Sequence, residues 1–245
     1  MPDRKSMQER ASIARAKVEA LGVMAPDDVA LLPETCALKP LQTIAERALG
    51  IGLTAVCGEG LPASDAMIIA TNWGVQHVFT DEEAMFLATV RPSDADRTRF
   101  VWRYEGLVVL LWALGYHDAL PPDHEICDTG AQASVLIQHQ SQLAENSTPR
   151  HTDEIRDAAD YYAHLHAALM RINPEDPALP QAHGLSGRFS VSTKTHLPVS
   201  AVPVSTSSGE GERSLNIRQR TTVDSGFSAN NSRANTLQAR FQASW

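Results

Sequence analysis

The feature that most constrains this chain is a run of eight consecutive apolar residues, 107–114, within the segment FVWRYEGLVVLLWALG. A helix with apolar residues at every position of such a run has no polar face, so this half of the segment is predicted to be buried on all sides. Ser93 or Asp94 can begin the helix and Gly115 can end it. The sequence therefore predicts a buried central helix over about residues 94–114.

The rest of the first 185 residues contains residues that are typical of helix starts and helix ends. A charged segment over about residues 6–21 ends at Gly22, and Pro40 suits the first turn of the helix LQTIAERALGIGLTAV. Gly50 and Gly52 weaken the second half of that helix, and the following GEGLP is typical of a turn. Because no alternating strand pattern is found before residue 185, we predict an all-α fold, a compact bundle of about seven helices.

Several helix starts can be located from capping residues. In TDEE, Thr80 and Glu83 have the spacing of a capping box, in which each side chain accepts from the backbone amide of the other. Ser64 is predicted to cap the helix SDAMIIATNWGVQ. Another helix is expected over about residues 130–144, and Thr152 is predicted to open the last one.

The composition changes near the end of the helical part. Residues 186–245 contain 12 Ser, 6 Thr and 4 Asn, with neither helical nor strand periodicity. Such a segment cannot bury enough apolar surface to offset the entropy of ordering it. We predict a helical domain over residues 4–180 and a low-complexity, disordered tail over residues 181–245.

The charge is distributed unevenly. The whole chain has a formal net charge of −8, made up of −12 over residues 1–185 and +4 over residues 186–245. An acidic body repels phosphate backbones, so nucleic-acid binding is not expected, whereas a basic protein partner would fit. No apolar run approaches the ~20 residues that span a bilayer, and three widely spaced cysteines indicate neither disulfides nor a zinc ribbon. We therefore expect a cytoplasmic protein without membrane contact.

Two charges precede the apolar run and are the first candidates for a site. Arg103 and Glu105 are two residues apart, so on a helix they point in different directions and need partners elsewhere. The candidate partners are Glu46 and Arg47 on the AERAL helix, and Trp102 lies beside them in the sequence. One hypothesis is an inter-helix ion-pair network, because a buried charge must be paired. The alternative is a polar pocket in which the glutamate does acid–base work.

The segment HDALPPDHEICD offers the best set of metal-ligand types. His117, His124 and Cys127 are weak zinc candidates, because they lie around a diproline and no second ligand pair stands nearby. A buried, inert cysteine is the favoured interpretation of Cys127. We predict no catalytic residue, no metal site and no cofactor.

Particular blocks of the sequence resemble a known family. TIAERALGI, TDEEAMFL, the helix DEIRDAADYYAHLHAAL and above all FVWRYEGLVVLLWALG followed by LPPDHEICD resemble the bacterial family called domain of unknown function 4272. The resemblance covers about residues 4–175. It implies a compact, mainly helical, cytoplasmic bacterial protein, and it implies no activity.

The C-terminal part departs from this family. The resemblance implies a further helical segment with an Arg-x-Ala-Leu-Asn-Trp-Leu-like core, and this sequence has the Ser/Thr-rich tail in its place. The tail is thus either divergent or translated out of register after a frameshift, which sequencing the gene would test.

The absence of a recognised catalytic, metal or phosphate-binding constellation leads to an expectation about function. We expect a non-catalytic protein-interaction or accessory module. The alternative is an enzyme or small-molecule-binding protein with a polar pocket around Arg103 and Glu105.

Overall fold

The computed structural model describes residues 6–30, 32–33, 35–123 and 125–171. Within these residues it contains eight α-helices, two 3₁₀ helices at Gln76–Val78 and Gln140–Gln142, and no strand. The α-helices are α1 Met7–Glu19, α2 Leu41–Glu59, α3 Ala63–Trp73, α4 Asp81–Ala88, α5 Asp94–Val101, α6 Tyr104–Ala113, α7 Thr129–His139 and α8 Thr152–Leu169. The all-α prediction is confirmed. The predicted tail, 181–245, lies outside the described residues, and the domain boundary at 180 stays a prediction.

The predicted helix over 94–114 is two helices, which corrects that boundary. α5 ends at Val101 and α6 begins at Tyr104. At the junction the backbone forms hydrogen bonds of the 3₁₀ type, between residues three apart. The Arg103 amide donates to the Phe100 carbonyl (3.1 Å), and the Gly106 amide donates to the Arg103 carbonyl (3.0 Å). This tighter winding interrupts the α-helix without reversing the chain. The polar α5 is thereby a separate helix from the apolar α6, and both pack against α2.

The prediction of a fully buried apolar helix is confirmed for α6. Every residue of Tyr104–Ala113 is buried, and so is Leu114 behind it. Gly115, with φ of +87°, ends the segment in a conformation that favours glycine. On α5, by contrast, only Phe100 is buried.

The second buried helix is α2, which the sequence did not identify as central. It packs against helices α3, α4, α5, α6 and α7. Gly50 and Gly52 do not end it, because α2 continues to Glu59 and the turn follows at Gly60, with φ of +125°. A Cβ on Gly52 would lie 2.1 Å from Cδ1 of Leu136, so this glycine permits the close approach of α7.

Two of the predicted caps are confirmed and one is wrong, and α8 begins at Thr152 as predicted but with His151 as its cap. The Thr80–Glu83 capping box begins α4, and the Ser93 hydroxyl accepts from the Asp96 amide at the start of α5. Ser64 does not cap α3, since this helix begins one residue earlier, after Pro62, without a side-chain cap. Proline at this position leaves one fewer unsatisfied amide at the helix start.

A buried ion pair fastens α1 to α8. Nε of Arg10 lies 2.9 Å from Oδ2 of Asp160, and both side chains are almost completely buried. The α1–α2 connection joins this pair, because Arg10 donates to the Leu32 carbonyl and the Leu32 amide donates to Asp160. Among the described residues, no helix is sufficiently long and apolar to cross a membrane.

Candidate functional site

The centre of the candidate site is Glu83, in the first turn of α4. The capping box fixes its backbone there, with the Thr80 amide donating to Oε2 at 2.9 Å. The side chain is 0% exposed. A buried carboxylate is tolerated only where cations or donors surround it, so the neighbours of Glu83 decide whether this helix can pack at all.

Two arginines from other elements supply those donors. Arg47 of α2 donates from Nη1 to Oε2 and from Nη2 to Oε1, both at 2.7 Å, which is a bidentate pair. Arg103, at the α5–α6 junction, donates from Nη1 to Oε1 at 2.8 Å. Each carboxylate oxygen of Glu83 therefore accepts two hydrogen bonds, and three of the four come from guanidinium groups.

The cluster extends to the surface through Arg103. Its Nη2 pairs with Glu82, and Glu82 also pairs with Arg99. The Arg103 guanidinium lies over the ring of Phe100, with its carbon 4.6 Å from the ring centroid. The side chains of Arg47 and Arg103 are 29% and 19% exposed, so the cluster grades from a buried carboxylate to a wet rim.

The electrostatic environment keeps Glu83 ionised. Burial by itself would raise the pKa of Glu83, but the hydrogen bonds and charge of Arg47, the Thr80 amide and the Arg103 charge outweigh it and lower that pKa. A carboxyl group held in this way is a poor proton donor at neutral pH. The arrangement is suited to holding α4 against α2 and the α5–α6 junction through ion pairs rather than to proton transfer.

The other predicted site residues lie elsewhere. Glu46 accepts from Gln42 and pairs with His77, at 3.3 Å from Nε2 of His77. Trp102 is half-buried and occupies the C-terminal cap of α5. Of the predicted set, the structure brings only Arg47 and Arg103 to a common partner.

Glu105 belongs to a different cluster. It is buried on α6, and its Oε1 accepts from the Cys127 amide at 2.8 Å. This hydrogen bond attaches the segment before α7 to the central helix. The charge of Glu105 also acts on Tyr162 of α8, where burial is the main cause of a raised pKa of the phenol. The pocket hypothesis placed Arg103 and Glu105 in one site. In the structure Arg103 contacts Glu82 and Glu83, whereas Glu105 accepts from the Cys127 amide.

The weak metal candidates are spread over several environments. Nε2 of His117 lies 2.6 Å from Oε1 of Gln132. Cys127 is buried and is not in a disulfide, and His124 lies outside the described residues. In the part of the chain that the structure describes, no group of three or more His, Cys, Asp or Glu side chains could hold a metal ion.

Sequence reasoning missed the acidic half of the cluster. Glu83 was identified only as a capping residue, and Glu82 was not identified at all. The available signal was the capping box, because it places Glu83 at a defined point of a helix whose other buried residue is Phe86. Which arginines reach that point depends on tertiary packing.

Comparison with known proteins gives one match. A family model described as "Domain of unknown function (DUF4272)" matches residues 10–182. No curated protein and no solved structure matches this chain.

Proposed function

Since the chain belongs to the DUF4272 family, whose description assigns no activity, we propose from its geometry that it is a non-catalytic, cytoplasmic protein-interaction module. The observation that carries this proposal is the closed bonding of Glu83. The charged groups beside the core are used to hold α2, α4 and the α5–α6 junction together. While Glu83 is bound in this way these charged groups hold the helices together, and the surface is the part of the molecule that remains for contact with a protein partner.

The surface favours a basic partner. The described residues contain 12 Lys and Arg against 22 Asp and Glu, a net charge of −10. Residues 104–149 contain six acids and no Lys or Arg. Complementary charge accelerates association and selects against partners of the same sign.

Two of these six acids, Asp118 and Glu145, lie on neighbouring segments of the bundle, which also carry Arg150. The Tyr116 hydroxyl donates to the Leu143 carbonyl at 2.7 Å, and Arg150 donates to the His117 carbonyl at 2.7 Å. Residues 116–118 and 143–150 therefore lie side by side, and we name these two segments the acidic end. Asp118 and Glu145 are exposed there.

A cytoplasmic location is supported by the cysteines. Cys36, Cys57 and Cys127 are all buried, and none of the three is in a disulfide. Structural disulfides are common in secreted domains and rare in reducing compartments.

The test is capture of a partner followed by measurement of its affinity for matched variants. Asp118→Lys/Glu145→Lys reverses two charges at the acidic end, and Glu9→Lys/Glu19→Lys makes the same change in net charge on α1. We expect the first pair to weaken binding by at least about tenfold and the second by less than about threefold. Binding of the partner should also weaken as salt is added.

Equal losses in the two double variants would show that only net charge matters and would overturn the assignment to the acidic end. Failure to capture any partner with the full chain would count against the interaction module itself. In that case a metabolite screen by thermal shift would test the small-molecule alternative.

A further inference from the structure

We propose that the guanidinium groups of Arg47 and Arg103 form an anion-binding site that Glu83 fills from within the chain, and that an external phosphate or carboxylate group enters when α4 moves away. The inference is independent of any protein partner. It rests on how firmly the arginines are held, how weakly α4 is held, and what chemistry the two guanidinium groups present.

The two arginines are anchored on elements other than α4. Arg47 lies on α2, the helix whose residues from Ala48 to Gly58 are all buried, and its Nη1 also lies 3.4 Å from the Val78 carbonyl. Arg103 lies at the start of the buried α6, with its guanidinium over the Phe100 ring. Displacement of α4 would leave these anchors in place, so the two guanidinium groups are preorganised.

The attachment of α4 is limited. This helix has eight residues, and only Glu83 and Phe86 are buried. Phe86 stacks on Phe100 with ring centroids 3.8 Å apart. A helix of this length is not stable by itself, so it depends on these two buried contacts, on the exposed pairs of Glu82, on partly buried Leu87 and on its cap. Because Glu83 both closes the cap and binds the arginines, loss of its ion pairs weakens both attachments together.

The chemistry of the site defines the ligand. Two guanidinium groups that converge on one carboxylate can donate to the oxygens of another carboxylate or of a phosphate in the same way. Displacement of α4 takes both Glu83 and Glu82 away from the arginines, so a phosphate dianion conserves the charge in contact with them, whereas a single carboxylate replaces only part of it. The exchange also moves Glu83 into water, which avoids the cost of a buried, unpaired carboxylate. Short elements with few buried contacts are those that open locally in native proteins.

The first experiment uses the full chain and inorganic phosphate as the probe. Amide hydrogen exchange is measured by mass spectrometry in chloride and in phosphate at the same pH and ionic strength. We expect peptides covering Asp81–Ala88 to exchange at least about threefold faster in phosphate, and peptides covering Leu41–Glu59 to be unchanged. Equal exchange of α4 in the two anions would overturn the proposal.

The second experiment removes the internal competitor. Glu83→Gln keeps the size of the side chain and abolishes its charge, whereas Asp81→Asn removes an exposed charge from the first turn of the same helix. In thermal melting at constant ionic strength, we expect the phosphate concentration for half-maximal stabilisation of Glu83→Gln to be at least about tenfold below that of Asp81→Asn. Equal phosphate dependence in the two variants would contradict the assignment of the site.

Each of the two experiments tests the proposal without depending on the other. If Glu83→Gln does not fold, the exchange measurement on the unmodified chain decides the question. Neither measurement requires a protein partner, so failure of the proposed function leaves this result standing, and failure here leaves the proposed function open to its own test.

Discussion

At the scale of single residues, Glu83 shows how one carboxylate can serve local and tertiary structure together. Its Oε2 accepts from the Thr80 amide, which closes the start of α4, and from Arg47, which lies on α2. Its Oε1 accepts from Arg47 and Arg103. The cost of burying the charge is offset only while all these donors are present. Removing the charge should therefore affect stability more than removing its exposed neighbour.

The first prediction concerns the size of that effect. Glu83→Gln leaves two guanidinium groups without their buried counter-ion, and we expect the free energy of unfolding to fall by about 3 kcal/mol. Glu82→Gln weakens two ion pairs of a half-exposed carboxylate, one with Arg99 and one with Arg103, and should cost less than about 1 kcal/mol. Urea unfolding of both variants measures the difference, and equal losses would show that burial of Glu83 is not what stabilises the cluster.

The second prediction is a pH dependence with a defined sign. The pKa of Glu83 in the folded protein is below its ordinary value of 4.5, so its contribution to stability is complete above that value. As the pH falls below 4.5 and through the folded pKa, the contribution is lost. The difference in unfolding free energy between the unmodified chain and Glu83→Gln should therefore shrink with acidification. A difference that stays constant from pH 7 to pH 3 would contradict this assignment.

The third prediction concerns Gly52, where space and helix propensity oppose each other. Alanine has the higher helix propensity, by about 1 kcal/mol, but its Cβ would lie 2.1 Å from Cδ1 of Leu136, which is buried. We expect overpacking to dominate and Gly52→Ala to destabilise the fold by about 1–3 kcal/mol. A double-mutant cycle with Leu136→Val provides the control, because shortening Leu136 should recover part of the loss. Additive losses in the cycle would place the strain elsewhere.

Residues could be predicted from the sequence where the cause is local. The Thr80–Glu83 box is recognisable because its two partners are three residues apart. The need of Arg103 for a partner was recognisable from the same spacing rules. Arg47 was named as a candidate for a cross-helix ion pair, but its shared contact with Arg103 through Glu83 was not predicted. The choice of Glu83 over Glu46 as the shared acid was not recognisable, because it depends on how α4 packs against α2.

At the scale of elements, helix starts were easier to predict than helix continuity. Ser93 and Thr80 cap α5 and α4 as expected, since a hydroxyl before an acidic first turn acts locally. The interruption between α5 and α6 carries no proline or glycine, so the periodicity predicted one helix. Gly50 and Gly52 predicted a weakened second half of α2, because a glycine that permits close packing leaves the same sequence signal as one that ends a helix.

The fourth prediction compares two hydroxyl residues near helix starts. Thr80→Ala removes the acceptor of the Glu83 amide and should cost about 1 kcal/mol. Ser64→Ala is the matched control, because the Ser64 hydroxyl makes a 3.5 Å contact with Asp65 and caps no helix, and its effect should lie within about 0.5 kcal/mol. Chemical unfolding measures both, and a loss for Ser64→Ala as large as that for Thr80→Ala would restore Ser64 as a cap.

At the scale of the whole molecule, two buried helices organise the fold. The apolar run revealed α6 because burial on all sides requires apolar residues at every position. α2 reaches the same burial with small residues, among them Ala48, Gly52 and Ala55, and its sequence therefore looks less like a core helix. The acidic excess affects neither choice, since charge patterns bear on association and solubility rather than on fold.

The fifth prediction uses the three thiols as probes of this organisation. All three are buried, but Cys57 lies within α2, whereas Cys36 and Cys127 lie in the segments that precede α2 and α7. Burial, followed by the charge of Asp65, raises the pKa of the Cys57 thiol to about 12, which suppresses the reactive thiolate. We expect alkylation of Cys57 to require global unfolding, and alkylation of the other two to proceed through local opening.

Urea separates these two routes to alkylation. Global unfolding exposes the whole core, so the alkylation rate of Cys57 should rise steeply with urea, in proportion to the full surface exposed on unfolding. Local opening exposes little surface, so the rates of Cys36 and Cys127 should change only slightly below the unfolding transition. Mass spectrometry of the labelled peptides reads each thiol separately, with fully unfolded protein as the control for intrinsic reactivity. Identical urea dependence at all three positions would mean that the described helices open only as one unit, and α2 would then have no special place in the core.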